Sequence, residues 1–364
     1  MQLGIIGLAQ SGKTTVFNAL TRGKSEALRS SSSIAKPVIG TAKVPDPRID
    51  VLTAMYKPER VTPAEIRYID FPATPEGSTR VIGGPSLNVL QQSDALILVL
   101  RDFENPAVPH EDGSIDPARD LSAMQFELIF SDLAVLERRA KRVASELKGA
   151  KPDQRDKLQR ETNLIISLKD GLEGDIPIRN QEISLDDRRS IMNFQFLTDK
   201  PLLTLLNIDE EQLSQTKSLE QKLASLTAGT DVQSTALCGK LEMELSEMDP
   251  ADELEFRASL AAGDSGSSRI ISLSYSLLNQ ASFFTTGSDE VKAWTIVNDL
   301  PAAQAAGHIH SDIERGFIRA EVISYNDLID CGSTAQARQK GLLRTEGRTY
   351  PVQDGDIINF LFNV

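Results

Sequence analysis

Cysteine is scarce in this chain, and so is any long apolar run. The two cysteines, Cys238 and Cys331, stand far apart and form no Cys-x-x-Cys or Cys/His cluster, which excludes a disulfide framework and leaves a reduced compartment as the expected setting. No apolar run approaches the roughly 18 residues of a membrane span. The longest candidates, such as Ala95 to Leu100, are strand length, so no membrane partner is expected. No charged segment leads into an apolar one at the start, so no signal peptide is read and a cytoplasmic location is expected. Positive charge is also in deficit: 39 Lys and Arg stand against 52 Asp and Glu, for a net charge of −13. Most of the surface would repel a polyanion, so neither bulk nucleic-acid binding nor DNA sequence specificity is expected.

What is present begins at the second residue. The apolar run Gln2–Ile6 leads into Gly7-Leu8-Ala9-Gln10-Ser11-Gly12-Lys13-Thr14-Thr15, a G-x-x-x-x-G-K-[ST] loop, and then into Val16-Phe17-Asn18-Ala19-Leu20, which suits a helix. Such a loop wraps backbone N–H groups around a polyphosphate at a helix N-terminus, with Lys13 on the outer phosphates and the Thr14 hydroxyl on Mg²⁺. The strand Ile66–Asp70 ends in a carboxylate at the carboxyl edge of the sheet, where a second metal-holding group belongs. Ser25–Ser33 reads as a loop, either a sensor of the terminal phosphate or a plain connection, and Phe71–Pro85 as another. The continuous apolar runs 95–100 and 201–207 read as strands buried on both faces of a parallel sheet.

Between those two runs the period becomes helical. Leu133, Leu136, Ala140, Val143 and Leu147 recur three and four apart, a turn follows at Gly149–Asp153, and Leu158, Ile165, Leu168 and Leu172 carry a return helix. Residues 138–160 of this hairpin hold nine cations and three acids, a face that is either solvated or contacts RNA. Gly263–Ser268 reads as a flexible break. Beyond it, strands are expected at 282–286, 292–296, 316–323 and 357–362, with a helix near 333–340.

The ordered set resembles the YchF/Obg-related P-loop NTPases over essentially the full length. The residues that carry the likeness are Gly7 to Thr15, Val44-Pro45-Asp46-Pro47-Arg48, Asn207-Ile208-Asp209-Glu210, Phe283 to Gly287, Gly307 to Phe317 and Gln353-Asp354-Gly355-Asp356. The resemblance implies an α/β fold: a Ras-like P-loop domain over 1–120 and 196–268, an inserted antiparallel helical arm over 121–195, and a C-terminal α+β TGS (ubiquitin-like) domain over 269–364. It also implies a cytosolic Mg²⁺-dependent ATPase that binds ribosomes or RNA through the arm and the TGS domain. Nucleotide contacts are expected from Gly7, Gln10, Ser11, Gly12, Lys13, Thr14 and Thr15, with the base read by Asn207, Ile208, Glu210, Cys238, Gly239 and Lys240. Thr14 and Asp70 would hold the metal. A guanine reader uses N-K-x-D; Ile208 removes the lysine and Glu210 lengthens the acid, so ATP is expected, with GTP as a close alternative.

His110 matches a loop histidine implied for hydrolysis beside Lys13, with a role-free surface histidine as the alternative. Several positions depart from the family. Ile34 stands where a metal-binding threonine is expected, with Ser32 or Ser33 as substitutes, and Asp70-Phe71-Pro72-Ala73 lacks the glycine whose N–H meets the γ-phosphate. Thr74 stands near the position of the water-orienting glutamine, and Gly83-Gly84 is what remains of a glycine-rich switch. These changes spare the α,β-phosphate cradle and predict slow or absent hydrolysis.

Overall fold

The computed structural model describes residues 1–364 except 24, 27–36, 72–81, 107, 109, 111, 112, 229–231, 261–263 and 364. Ile34, Ser32, Ser33, Pro72, Ala73 and Thr74 therefore lie outside the described residues. The chain divides into two compact units: residues 1–40 with 67–267, and residues 41–66 with 268–364.

The first unit is built on a seven-stranded sheet. Its strands run in the order Ser25–Glu26, Val38–Lys43, Glu65–Asp70, Gln2–Ile6, Ala95–Asp102, Leu202–Ile208 and Val232–Leu237. Gln2–Ile6 pairs in parallel with Glu65–Asp70 on one side and Ala95–Asp102 on the other, and the parallel register continues outward through Leu202–Ile208 to Val232–Leu237. All seven residues of Leu202–Ile208 are buried, as a strand with both faces covered requires. Parallel pairing brings the carboxyl ends of these strands, Ile6, Asp70, Asp102, Ile208 and Leu237, to one edge.

Between Ala95–Asp102 and Leu202–Ile208 the chain makes the expected helical hairpin, Pro117–Gly149 and Pro152–Glu173. Each helix opens on proline, and the Asp116 carboxylate caps the first by accepting from the N–H groups of Ala118 and Arg119. Leu136, Val143, Ile165, Leu168 and Leu172 are buried together.

The second unit carries a six-stranded sheet in the order Arg344–Glu346, Phe317–Ser324, Asp356–Phe362, Gln280–Thr286, Glu290–Val297 and Arg60–Thr62. The alanine face of the helix Ala302–Ile309 packs on Phe283, Phe317 and Phe360, an α+β core. Residues 41–66, assigned above to the nucleotide domain, belong to this unit. Arg60–Thr62 pairs in parallel with Glu290–Val297, and Arg48 bridges Asp46 and Asp354 at 2.8 and 2.7 Å. The break read at 263–268 also differs. A helix starts at Gly266, where the buried Glu242 carboxylate accepts from the N–H groups of Gly266 and Ser267 at 3.0 and 3.2 Å.

Candidate nucleotide-binding site

The glycines of the loop are required by space as well as conformation. Gly7 has φ +152° and passes so close to the Val99 carbonyl that a Cβ would stand 2.4 Å from its oxygen. At Gly12, φ is +90° and a Cβ would stand 2.2 Å from Asn207 Nδ2. Gln10 also adopts a positive φ, 60°, which bends the loop back toward the helix. The helix Lys13–Thr21 then begins with no side-chain cap. Its first N–H groups are left to an incoming anion, which the helix dipole favours.

Lys13 Nζ donates to the carbonyls of Gly7 and Leu8 at 3.0 and 2.7 Å, so the ammonium lies across the mouth of the loop. Thr14 Oγ1 donates to Asp70 Oδ2 at 2.7 Å. Asp70 is buried, and its Oδ1 has no hydrogen-bond partner among the described residues. Burial pushes this carboxyl above its ordinary range, against the pull of the Thr14 hydroxyl and the Lys13 charge. A buried carboxylate oxygen without a donor, beside a hydroxyl and a lysine, is a donor set suited to a hard divalent cation shared with phosphate oxygens. Ser11 Oγ is likewise buried without a partner among the described residues.

A cleft of about 790 Å³ opens over the loop, lined by Gln10, Gly12, Lys13, Thr14 and Thr15 at one end and Asn207, Ile208, Asp209, Cys238 and Lys240 at the other. Gly7, Ser11 and Gly239 act behind that lining through the backbone. Asn207 is used on both sides of its amide: Nδ2 donates to the Ser11 carbonyl and Oδ1 accepts from Gly239 N–H, each at 3.0 Å. It ties the glycine loop to the loop after Leu237. Glu210 is not among the lining residues; its carboxylate accepts from Lys240 Nζ at 3.2 Å, and Asp209 lines the cleft in its place. Burial, with Glu210 and Asp209 nearby, pushes the Cys238 thiol up to about 11, so it lines the wall as an inert group.

Sequence reasoning overlooked the segment after Ala95–Asp102. Phe103, Glu104, Asn105, Pro106 and Val108 all line the cleft. The segment is held by the buried Arg101, which donates to the carbonyls of Phe103 and Val108 at 3.1 and 2.8 Å and lies over the Phe103 ring. The signal was available, since an aromatic directly after a buried parallel strand sits at the ligand edge of the sheet. His110, further along, is not brought into the cleft lining; its imidazole is buried against Asp120.

A glycine loop feeding an uncapped helix at the carboxyl edge of a parallel sheet, with Thr14 and Asp70 meeting beside it, defines a P-loop nucleotide-binding domain. A family model described as YchF-GTPase_C, protein of unknown function (DUF933), matches residues 280–363. The chain is 35% identical over 365 residues to the ribosome-binding ATPase YchF of Bacillus subtilis, covering 99% of both chains. It is 34% identical over 363 residues to that of Escherichia coli O157:H7, again covering 99% of each. The solved YchF GTPase of Schizosaccharomyces pombe superposes with a TM-score of 0.87 at 28% identity, over 99% of this chain and 97% of that one. The chain belongs to the YchF family of P-loop proteins. A GTP-binding protein from Pyrococcus horikoshii, at 14% identity and a TM-score of 0.57, shares the fold.

Proposed function

We propose that this protein is a P-loop nucleoside triphosphatase that binds Mg-ATP in preference to GTP, hydrolyses it slowly and associates with the ribosome in the cytoplasm. The observation that carries the nucleotide preference is the base end of the cleft. Guanine selection needs a free carboxylate to accept from two base N–H groups, with a lysine stem over the ring. Here Ile208 replaces the lysine, Glu210 is engaged by Lys240, and Asp209 spends its carboxylate on the N–H of Glu210 at 2.7 Å. The ribosomal association rests on the relatives named ribosome-binding ATPase and on the cation-rich arm.

In this reading the loop N–H groups and the uncapped start of Lys13–Thr21 receive the α- and β-phosphates. Lys13 exchanges its two carbonyl partners for phosphate oxygens. Thr14 and Asp70 would hold Mg²⁺, which neutralises charge on the phosphate oxygens. Slow turnover follows from Ile34, which offers the metal no hydroxyl, and from Ala73, which replaces the glycine expected at the γ-phosphate, since losing one well-placed contact typically costs 10² to 10³ in rate.

Calorimetric titration of nucleotide-free protein with ATP and GTP in Mg²⁺, followed by phosphate release on the same sample, tests the proposal. ATP should bind the tighter, with measurable release. Tighter GTP binding would overturn the reading of Ile208 and Glu210, and binding without release would make the chain a nucleotide-stabilised ribosome-binding module.

A further inference from the structure

His110 is the residue with which the resemblance associates hydrolysis, yet both of its ring nitrogens are engaged away from the cleft. The imidazole is 6% exposed, and its Nε2 lies 3.0 Å from Asp120 Oδ2. Its Nδ1 lies 3.4 Å from Arg119 Nη2. A carboxylate only accepts, so Nε2 carries the proton that faces Asp120, while the two protons of Arg119 Nη2 go to the Ser114 carbonyl and to Asp120 Oδ1. The other oxygen of Asp120 accepts from Arg119 Nε and Nη2 at 3.2 and 3.0 Å, and Arg119 also donates to the Ser114 carbonyl and hydroxyl at 2.8 and 3.1 Å. Arg119 and Asp120 lie in the first turn of Pro117–Gly149, the outgoing helix of the arm.

An imidazole that orients an attacking water needs a ring nitrogen for that water. In the observed arrangement Nε2 donates to a buried carboxylate and Nδ1 faces the Arg119 guanidinium at 3.4 Å, so neither nitrogen is presented to the cleft. We propose that Asp120, supported by Arg119, is a latch that holds His110 withdrawn, with its Nε2–H on the carboxylate. Hydrolysis then requires the first turn of the arm to release the ring. Asp120 is thus a positioning residue with a restraining effect, and turnover is coupled to the root of the arm. The inference rests on the hydrolytic role that the resemblance implies for His110, and its test separates the two.

Phosphate release from Mg-ATP is measured on the full chain for the wild type, Asp120→Ala, His110→Ala and the double variant, with ATP affinity followed by calorimetry. A latch predicts that Asp120→Ala raises kcat by roughly 10- to 100-fold, the bias one charge-assisted hydrogen bond puts on a two-state equilibrium, with KM and ATP affinity unchanged. The double variant should show no such rise. In ¹⁵N–¹H spectra of labelled histidine, the His110 signal, identified by its loss in His110→Ala, should change from the Nε2-protonated form to an averaged tautomer in Asp120→Ala. A fall in kcat on Asp120→Ala matching that of His110→Ala would overturn the latch, because Asp120 would then assist the histidine. Unchanged release in His110→Ala would remove the hydrolytic role of His110 and the latch with it, whatever Asp120→Ala does. Should Asp120→Ala fail to bind ATP, Arg119→Gln, at a position one-third exposed, takes its place; unchanged kcat and tautomer there would also overturn the proposal.

Discussion

Asn207 shows how a residue can be legible in a sequence while its task is not. Its position at the end of a buried apolar run marks it as a strand-end polar group at the ligand edge of the sheet, and the structure puts it there. What spacing does not reveal is that both amide atoms serve the protein itself, one on the Ser11 carbonyl and one on Gly239 N–H. Asn207→Ala leaves a buried carbonyl and a buried N–H without partners. It should cost about 1–3 kcal/mol of stability for each group stranded. Because the phosphate loop and the base loop lose the same tie, ATP and GTP affinity should fall together. Denaturant melts with paired titrations check this, and a loss confined to one nucleotide would assign Asn207 to the base. Lys13, Thr14 and Asp70 were legible because the motif prescribes both residue type and spacing. Phe103 and Asp209 were not, because no fixed spacing announces which neighbour of a strand end turns inward.

Whole elements were legible where an apolar period runs uninterrupted. The central strands, the four longer strands of the C-terminal sheet and the two arm helices fall within a few residues of the positions read from the pattern, whereas the short strands Arg60–Thr62 and Arg344–Glu346 were not read. Short helices such as Thr216–Leu226 and Pro250–Ser259 have too few turns for their period to stand out, and the helix beginning at Gly266 is concealed by a glycine- and serine-rich start. Its first N–H groups donate to Glu242, itself paired with the buried Arg257 at 2.7 Å, so that signal lies more than twenty residues upstream.

The joint between the arm and the returning sheet is of the same long-range kind. Asp132, fully buried in Pro117–Gly149, accepts from Leu197 N–H at 2.9 Å and from both Thr198 N–H and Thr198 Oγ1 at 2.7 Å. Burial outweighs these three donors and pushes the Asp132 carboxyl up to about 6 from an ordinary value of 3.8. A folded-state pKa above the unfolded one means that the folded protein binds the proton more tightly. The stabilising contribution is full below pH 3.8 and lost as pH rises through about 6. Asp132→Asn lacks this titration, although its amide NH₂ meets backbone donors and should lower stability at every pH. The stability advantage of wild type over Asp132→Asn should therefore shrink as pH rises from 4 to 7 in chemical denaturation. A difference that grows over that range would show that the three donors, rather than burial, dominate this carboxylate.

For the molecule as a whole, sequence order is a poor guide to which segments fold together. Residues 41–66 belong with 268–364 because Arg60–Thr62 finds its parallel partner in Glu290–Val297, and nothing local in either strand encodes so distant a pairing. Charge is distributed as unevenly as contacts. A chain with a net charge of −13 carries nine cations against three acids in residues 138–160, at the far end of the arm. Arg139 is neutralised there by Glu161 at 2.6 Å and by Glu146 at 3.3 Å. Arg142, Lys157 and Arg160 are exposed on the walls of a groove of about 1240 Å³ lined by the two helices and by the helix Leu185–Ile191, which brings Asp186 and Asp187 to it. If the arm meets ribosomal RNA, those three side chains release counterions on binding, and each phosphate contact contributes a slope of about 0.7–0.9 to the dependence of log K on log salt. Replacing Arg142, Lys157 and Arg160 with glutamine should leave ATP binding intact, weaken co-sedimentation with ribosomes and lower the salt slope by about 2 to 3. A slope unchanged in this variant would take the arm out of the RNA interface, and would leave its cations as a solvated face that offsets the acidity of the rest of the chain.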